Sequence, residues 1–365
     1  MKRIAIKEVC EVYDGPHATP KKTDNGPVYL GIDAITEDGM LDPSQFAHLS
    51  EEDYVKWTKR VTPQENDIVF SYEATLGRYA VIPKNFYGCL GRRLAIVRII
   101  NDELNAKWLY YYLDHRWTSL LKSDGQGSTV DRISIEEFPE YTIPVISLED
   151  QNKIEDVLDK IDRKIADNKK INDYLEQQAL LIFRYMFKNI SNGSNHVGDY
   201  ITPKRGKALL SKDAIPGQFP VIAGGLLPAT YHNRANTVAP VLTISGSGAN
   251  AGYVNIWHDP IWSSDSSFID YEMTTNVYFW YAFLKLRQQD IFDIQTGSAQ
   301  PHIYPKHIAE LSIGNIDRFQ IASYITQVTP LFTKAGANIR ETKRLQQLRD
   351  WLLPMLMNGQ VTIED

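Results

Sequence analysis

The stretch from Leu148 to Lys188, LEDQNKIEDVLDKIDRKIADNKKINDYLEQQALLIFRYMFK, constrains this chain more than any other. Apolar residues recur there in alternating steps of four and three through Ile154, Leu158, Ile161 and Ile165, pass through Asn168 and Asn172, and resume at Leu175, Ala179, Ile182 and Met186. This is a heptad seam with two asparagines at its middle. At about 1.5 Å per residue a helix over the seam is on the order of 50 Å long, more than one compact domain requires. It needs a partner, and one is written near the C-terminus as Ile321, Ile325, Val328, Phe332, Ala335 and Ile339, resuming after a phase slip at Leu345, Leu348, Leu352 and Met355. Pro330 and Gly336 inside that segment predict a kink or a break rather than one straight rod. Either stripe alone also suits an ordinary core helix; two of them, each following a globular-looking stretch, favour an antiparallel pair.

At 365 residues the length suggests two or three domains, and a hydrophobic fraction of 43% supplies enough apolar chain for two cores. Cys10 and Cys89 are too distant and too isolated for a zinc cluster or a disulfide framework, so two buried thiols in a reducing compartment are expected. MKRIAIKEVC lacks the apolar run of a secretory signal, and no window approaches the roughly 18 apolar residues of a membrane helix, which predicts a cytoplasmic protein. A net charge of −6 argues against holding nucleic acid by bulk electrostatics alone. Any DNA contact must come from local basic clusters, helped by partner subunits.

From Lys2 to about Ser147, short strand-like runs (PVYLGI, NDIVFSY, YAVIP, LAIVRII) alternate with the turn clusters DNG, EDG and PKNFYG, which predicts a mixed domain with a curled sheet. A helical patch with Trp108, Tyr110, Tyr111 and Tyr112 on more than one face comes next, most of it core. After the long helix, NISNGSNHVG reads as a linker. Beyond that linker the chain repeats its first half. Asn105 to Leu113 matches Asn276 to Leu284, Gly127-Ser-Thr-Val-Asp-Arg-Ile matches Gly297-Ser-Ala-Gln-Pro-His-Ile, and the loop from Ser71 to Gly77 parallels that from Ser245 to Gly252. Lys153-Ile154 falls near Gln320-Ile321, and Tyr185 to Asn189 aligns with Pro354 to Asn358. The separation stays at roughly 165 to 175 residues, so two divergent copies of globule-then-helix account for the whole chain. A tandem duplication of this kind folds with pseudo-twofold symmetry when equivalent surfaces pair.

Chemistry is harder to find. GSGANAG at Gly246 to Gly252 precedes a strand-like YVNIW rather than a helix and lacks the P-loop lysine. There is no Asn/Asp-Pro-Pro-aromatic loop, HExxH, CxxC or GxSxG, and the eight histidines lack metal-ligand spacing. His302 and His307 are read as surface residues. The chain therefore reads as a non-catalytic binding and assembly module with no metal.

The nucleic-acid signals are local. Lys21-Lys22 follows the turn GPHATP, and the second copy carries Lys204, Arg205 and Lys207, so each half places cations on a Gly/Pro-shaped loop near its start. A solvated surface charge cluster is the plainer alternative. Arg92 and Arg93 precede LAIVRI, and Arg78 follows Gly77. Tyr72, Glu73, Ser128, Ser245, Asn250, Gln300 and His302 lie on the repeated loops and are residue types that contact base edges.

Taken together, Ile143-Pro144 ahead of LEDQNKIEDVLDKID, the helix end LLIFRYMFKN, GSAQPHI before the second helix and the terminal LLPMLMNGQVTI resemble the specificity subunits of type I restriction-modification systems over nearly the full length. The resemblance implies a mixed α/β chain with an internal pseudo-twofold repeat. Its parts would be two target-recognition domains (1–147 and 191–316), two long antiparallel coiled-coil helices separating them (148–190 and 317–358), and a short tail (359–365). Each domain would read one half of a split target in double-stranded DNA. Two modification subunits would dock on the helices, with Ile154, Leu158, Ile161, Ile165, Leu175, Ile182, Ile321, Ile325, Val328, Phe332, Leu345 and Leu352 forming the coiled-coil and subunit interface. S-adenosylmethionine would be bound by those partners and no cofactor by this chain, and restriction subunits would join the core. Gly314 in place of Pro144, and Pro330 in the second helix, depart from the first copy. A coiled-coil adaptor binding protein or glycan is the alternative of another class. A divergent nuclease would need carboxylates clustered around a metal.

Overall fold

The computed structural model describes residues 2–123, 133–297 and 300–363. Met1–Arg163 with Gln346–Asp365 form one compact unit and Lys164–Leu345 a second. In the first, β1 (Arg3–Ala5), α1 (Ile6–Val9), β2 (Cys10–Asp14), β3 (Thr23–Leu30), β4 (Ala47–His48), α2 (Glu51–Trp57), β5 (Ile68–Ser71), β6 (Tyr79–Val81), β7 (Gly88–Leu90), β8 (Leu94–Ile99), α3 (Ala106–Ser123) and β9 (Thr142–Pro144) lead into α4 (Leu148–Met186). The second contains β10 (Asn195–His196), β11 (Lys204–Arg205), β12 (Phe219–Ile222), β13 (Thr230–His232), β14 (Val241–Ser245), β15 (Val254–Trp257), β16 (Trp262–Ser263), β17 (Ser266–Asp270), α5 (Val277–Leu286), α6 (Gln288–Asp293), α7 (Pro305–Ala309), β18 (Ser312–Ile313) and α8 (Arg318–Met357).

The duplication is visible strand by strand. The first unit has a four-stranded sheet in the order β2-β8-β5-β6, a three-stranded sheet β4-β3-β7 and the pair β1-β9; the second has β11-β17-β14-β15, β13-β12-β16 and β10-β18. In both three-stranded sheets one contact is parallel, β3 with β7 and β12 with β16. The central strands are buried on both faces, which is why LAIVRI and VLTIS read as apolar runs rather than alternations.

Side-chain caps set the starts of the long helices. Ser147 Oγ accepts from the Asp150 N–H at 3.1 Å ahead of α4, and Asp317 Oδ1 accepts from Phe319 N–H at 2.8 Å ahead of α8. Within the second unit, Asn168 donates to Glu341 (2.8 Å), Asn338 to Asn172 (2.9 Å) and the Tyr324 hydroxyl to the Ala179 carbonyl (3.3 Å), so α4 and α8 run antiparallel. Within the first unit, Arg349 donates to Asp162 at 2.9 Å in the same sense. Aromatic packing closes each core on these segments. Phe183 of α4, Phe187 just after its end, Phe279 of α5 and Tyr324 of α8 have ring centroids 4.8 to 5.9 Å apart. In the first unit Trp108 stacks on Tyr112 at 5.5 Å in a core shared with Ile154, Leu158, Leu353 and Leu356.

Several expectations are corrected. α8 runs through Pro330 and Gly336 without a break. Val328 and Phe332 are buried on either side of the exposed Pro330, and packing there outweighs the missing N–H. Gly336 is a close-approach position, since a Cβ there would meet His258 Cβ at 2.8 Å. Ile339 (48% exposed) and Leu348 (42%) lie outside the seam, whose places are taken by Asn338, Arg349, Leu353 and Leu356. The linker is structured, because Asn195 and His196 form β10. His307 is buried, not on the surface. At Gly314 the backbone N–H donates to the Ile190 carbonyl at 2.5 Å, a bond that a proline could not make. Cys10 and Cys89 are free and buried, and burial pushes both thiols up to about 12. Among the described residues no helix is long and apolar enough to cross a membrane.

Candidate nucleic-acid interface

The two loop clusters can be superimposed through their backbone hydrogen bonds. Ser71 lies opposite Leu94 in the first unit and Ser245 opposite Ser266 in the second. Gly15 N–H donates to Leu94 O at 2.7 Å, and Gly206 N–H to Ser266 O at 2.8 Å. Tyr72 N–H donates to Arg93 O (3.2 Å) while its carbonyl accepts from Ile133; Gly246 N–H donates to Asp265 O (3.0 Å) while its carbonyl accepts from Ile303. The frame thus equates Asp14 with Arg205, Gly15 with Gly206, Tyr72 with Gly246, Glu73 with Ser247 and Arg93 with Asp265. Gly15 and Gly206 are required by close approach, because a Cβ would run into the backbone carbonyls of Gly91 and Leu94 at the first and of Ser263 and Ser264 at the second.

On this frame the side chains differ. In the first unit Asp14 pairs with Arg60 at 2.6 Å and with His17 at 3.1 Å, Arg93 faces Glu73 at 3.7 Å, and Arg78 pairs with Glu37 at 3.0 Å. Tyr72 is buried, and burial followed by the Asp14 charge raises its hydroxyl pKa. In the second unit Arg205 Nη2 donates to one oxygen of Asp265 and Ser247 Oγ donates to the other. The His302 backbone forms isolated β-bridges with Ser247 and Thr296, while its ring donates from Nδ1 to the Gln300 carbonyl (2.7 Å) and stacks on Tyr304.

Among the residues proposed from sequence, Arg205, Gln300 and His302 come together on one loop cluster, and Asn250 lies half-buried on the adjoining turn, its carbonyl accepting from Tyr253 N–H. Tyr72 and Ser245 are corrected: both are buried in this structure and form walls rather than a reading surface. Their alternation with exposed loop residues could not be seen without the strand register. Ser128 lies outside the described residues. Lys21, Lys22, Arg92, Lys204 and Lys207 have no ion pair among the described residues, and all five are exposed. Sequence reading missed Ser247 and Asp265; the short SGSG and SSDSS turns were the only signal.

The seam residues of the helices are occupied within the chain. Ile154, Leu158, Ile161, Ile165, Ile321, Val328 and Phe332 are buried, while Leu175, Ile182, Ile325, Leu345 and Leu352 are half-buried. As a docking surface for other subunits the seven buried ones are corrected, because they are covered by this chain itself. The outer face of α4 instead carries Ile171, Tyr174, Leu181 and Tyr185, exposed at 39%, 58%, 62% and 76%. No group of three or more His, Cys, Asp or Glu among the described residues is placed to hold a metal ion.

The chain is similar in sequence and in fold to known proteins. The family described as type I restriction modification DNA specificity domain matches residues 1–177. The type I restriction enzyme MjaIX specificity subunit of Methanocaldococcus jannaschii is 23% identical over 360 residues, which span 87% of this chain and 82% of that one. The S subunit of the type I restriction-modification system from M. genitalium has a TM-score of 0.57 at 19% identity, covering 97% of this chain and 95% of that chain; at this identity the likeness is one of fold. The HsdS subunit from Thermoanaerobacter tengcongensis gives 0.39 at 13% identity, with 99% and 97% covered.

Proposed function

We propose that this chain is a specificity subunit of a type I restriction-modification system, the family whose DNA specificity domain matches residues 1–177, and that its two domains each read one half of a bipartite sequence in double-stranded DNA. The observation that carries the reading is the repeated frame with exchanged side chains. One backbone arrangement presents Asp14, Tyr72 and Arg93 in one domain and Arg205, Gly246 and Asp265 in the other, as expected of two readers of different sequences. Exposed cations without ion pairs flank both clusters and supply phosphate contacts that position the reader without specifying sequence.

Two modification subunits would dock on the outer faces of the helices, where Tyr174, Leu181 and Tyr185 are exposed, and would bind S-adenosylmethionine and carry out methyl transfer. Restriction subunits would join that core. The target base must leave the stack to be methylated, so the partner enzyme has to be held at a fixed place relative to the bases read. This chain would supply that placement and no catalysis; methyl incorporation into DNA by the pure chain would contradict it.

The helices would act as the ruler between half-sites. Asn168 and Asn172 do not mark slack: Asn168 is fully buried and bonded to Glu341, so the pair has a defined register. A length change must therefore be made in both helices. Four residues added after Asn168 and four after Glu341 lengthen the pair by about 6 Å, close to two base-pair rises at roughly 3.4 Å each. Mapping methylated adenines in cells that express the variant with its modification partner tests this. The expected result is unchanged half-sites with a spacer one or two pairs longer; altered half-sites at constant spacing would reject the ruler.

A further inference from the structure

We propose that Arg205 reads a guanine in the half-site of the second domain, held in its reading plane by Asp265, Ser247 and Gly246. The inference rests on the function proposed above and narrows it to one side chain and one base.

Arg205 ends β11 and is 38% exposed at its side chain, so it faces solvent, yet it is not free to sample rotamers. Asp265 Oδ1 takes its Nη2, and the other carboxylate oxygen is held by Ser247 Oγ. Asp265 is tied in turn through its carbonyl to the Gly246 N–H at 3.0 Å. Gly246 completes the arrangement, because a Cβ there would collide with Arg205 Nη1. The guanidinium therefore lies beside the bare backbone of Gly246, tethered through Nη2 to Asp265.

That construction decides between two uses of a cation. A phosphate contact needs positive charge, which Lys204 and Lys207 offer without an ion pair, and an arginine already neutralised by a carboxylate gives up much of the counterion release that drives such contacts. A base contact needs an oriented fork. Arginine has five N–H donors, and those not spent on Asp265 match the N7 and O6 acceptors of guanine in the major groove. Holding the fork in advance lowers the ordering cost of binding.

The test maps the methylated target in cells that express the full chain with its modification partner, for the unaltered protein and for Arg205→Ala, Arg205→Lys, Asp265→Asn and Gly246→Ala. The expected result is relaxation at a single G·C pair of one half-site, with discrimination there falling roughly 5- to 150-fold for both Arg205 variants. Asp265→Asn and Gly246→Ala should relax the same pair and no other. The intact reading of the other half-site serves as the folding control, and Arg205→Lys stands in if the alanine variant is unstable. An unchanged motif for Arg205→Ala and Arg205→Lys, with uniformly weaker DNA binding and a salt slope smaller by about 1, would make Arg205 a phosphate contact and overturn the inference while leaving the proposed function intact. Absence of any bipartite motif in the unaltered protein would defeat the proposed function itself, and this inference with it.

Discussion

The two domains differ most where their backbones agree best. Around the hydrogen bonds that join Gly15 to Leu94 and Gly206 to Ser266, the first domain places an acid, a buried tyrosine and an arginine, and the second a base, a glycine and an aspartate. The exchange is concerted. Where the first domain carries the buried ring of Tyr72, Gly246 leaves room for the Arg205 guanidinium. A domain of this kind keeps its main-chain pairing and exchanges whole sets of contacting side chains, since replacing one member alone would leave a clash or an unmatched charge.

The same contrast extends into the cores and can be broken there with the largest effect. Asp67 is buried in the first domain against Arg98, which donates to both its oxygens at 2.9 and 2.7 Å. At the place equivalent to Arg98 the second domain buries Asp270, satisfied by the N–H groups of Val238 (2.9 Å) and Met273 (3.2 Å). Asp67→Ala strands a guanidinium and should cost the first unit about 3 kcal/mol. Asp270→Ala strands only neutral donors and should cost the second about 1 to 2 kcal/mol. Hydrogen exchange resolved by unit measures both; equal losses would show that the two cores are not satisfied in different ways.

Proton concentration should separate the units next. His258, whose counterpart in the first domain is Pro83, packs near Phe332 and into the Gly336 notch, and burial lowers its pKa to about 4. A depressed histidine favours the folded state when neutral. Its stabilisation is complete above about 6.5 and is lost as pH falls through 4, amounting to at most about 3 kcal/mol. Exchange rates of the second unit should rise over that window, and His258→Leu should flatten the rise. A slope unchanged in the variant would assign it to other groups.

The smallest effect on stability sharpens the division between positioning and reading. Lys204→Ala with Lys207→Ala should change unfolding free energy by no more than about 0.5 kcal/mol. The same variant should weaken specific and unrelated DNA alike and reduce the salt slope by about 2. Binding titrations at several salt concentrations distinguish this from a change confined to one base pair.

The long helices are legible in the sequence because a heptad is a local signal, and the duplication because loops such as those at Ser71 and Ser245 keep their spacing. Register is not local. The pairing of Asn172 with Asn338, and of Asp162 with Arg349, depends on how two distant segments slide past one another, so Ile339 and Leu348 read as members of a seam they do not join. Proline at 330 predicts a break on local grounds alone, and the burial of Val328 and Phe332 overrides it. The equivalence of Asp14 with Arg205 is hidden for the same reason, since it comes from strand pairing and not from residue likeness. Buried Tyr72 and Ser245 pass for surface residues because turn composition does not say which side of a strand end faces water.

The short pairs β1-β9 and β10-β18 have a wider consequence. Arg3 lies against Pro144, and Asn195 against Ile313, so the chain enters and leaves each globule through two strands about 4.8 Å apart. The chain path into and out of each globule thus runs through one two-stranded pair, outside the long helices, even though those helices also pack into its core. A whole globule can be traded for another by recombination at two nearby seams, without adding or removing a helical residue. On the function proposed above, what the molecule reads would then change in one genetic step, while the helices proposed to measure distance would be inherited unaltered.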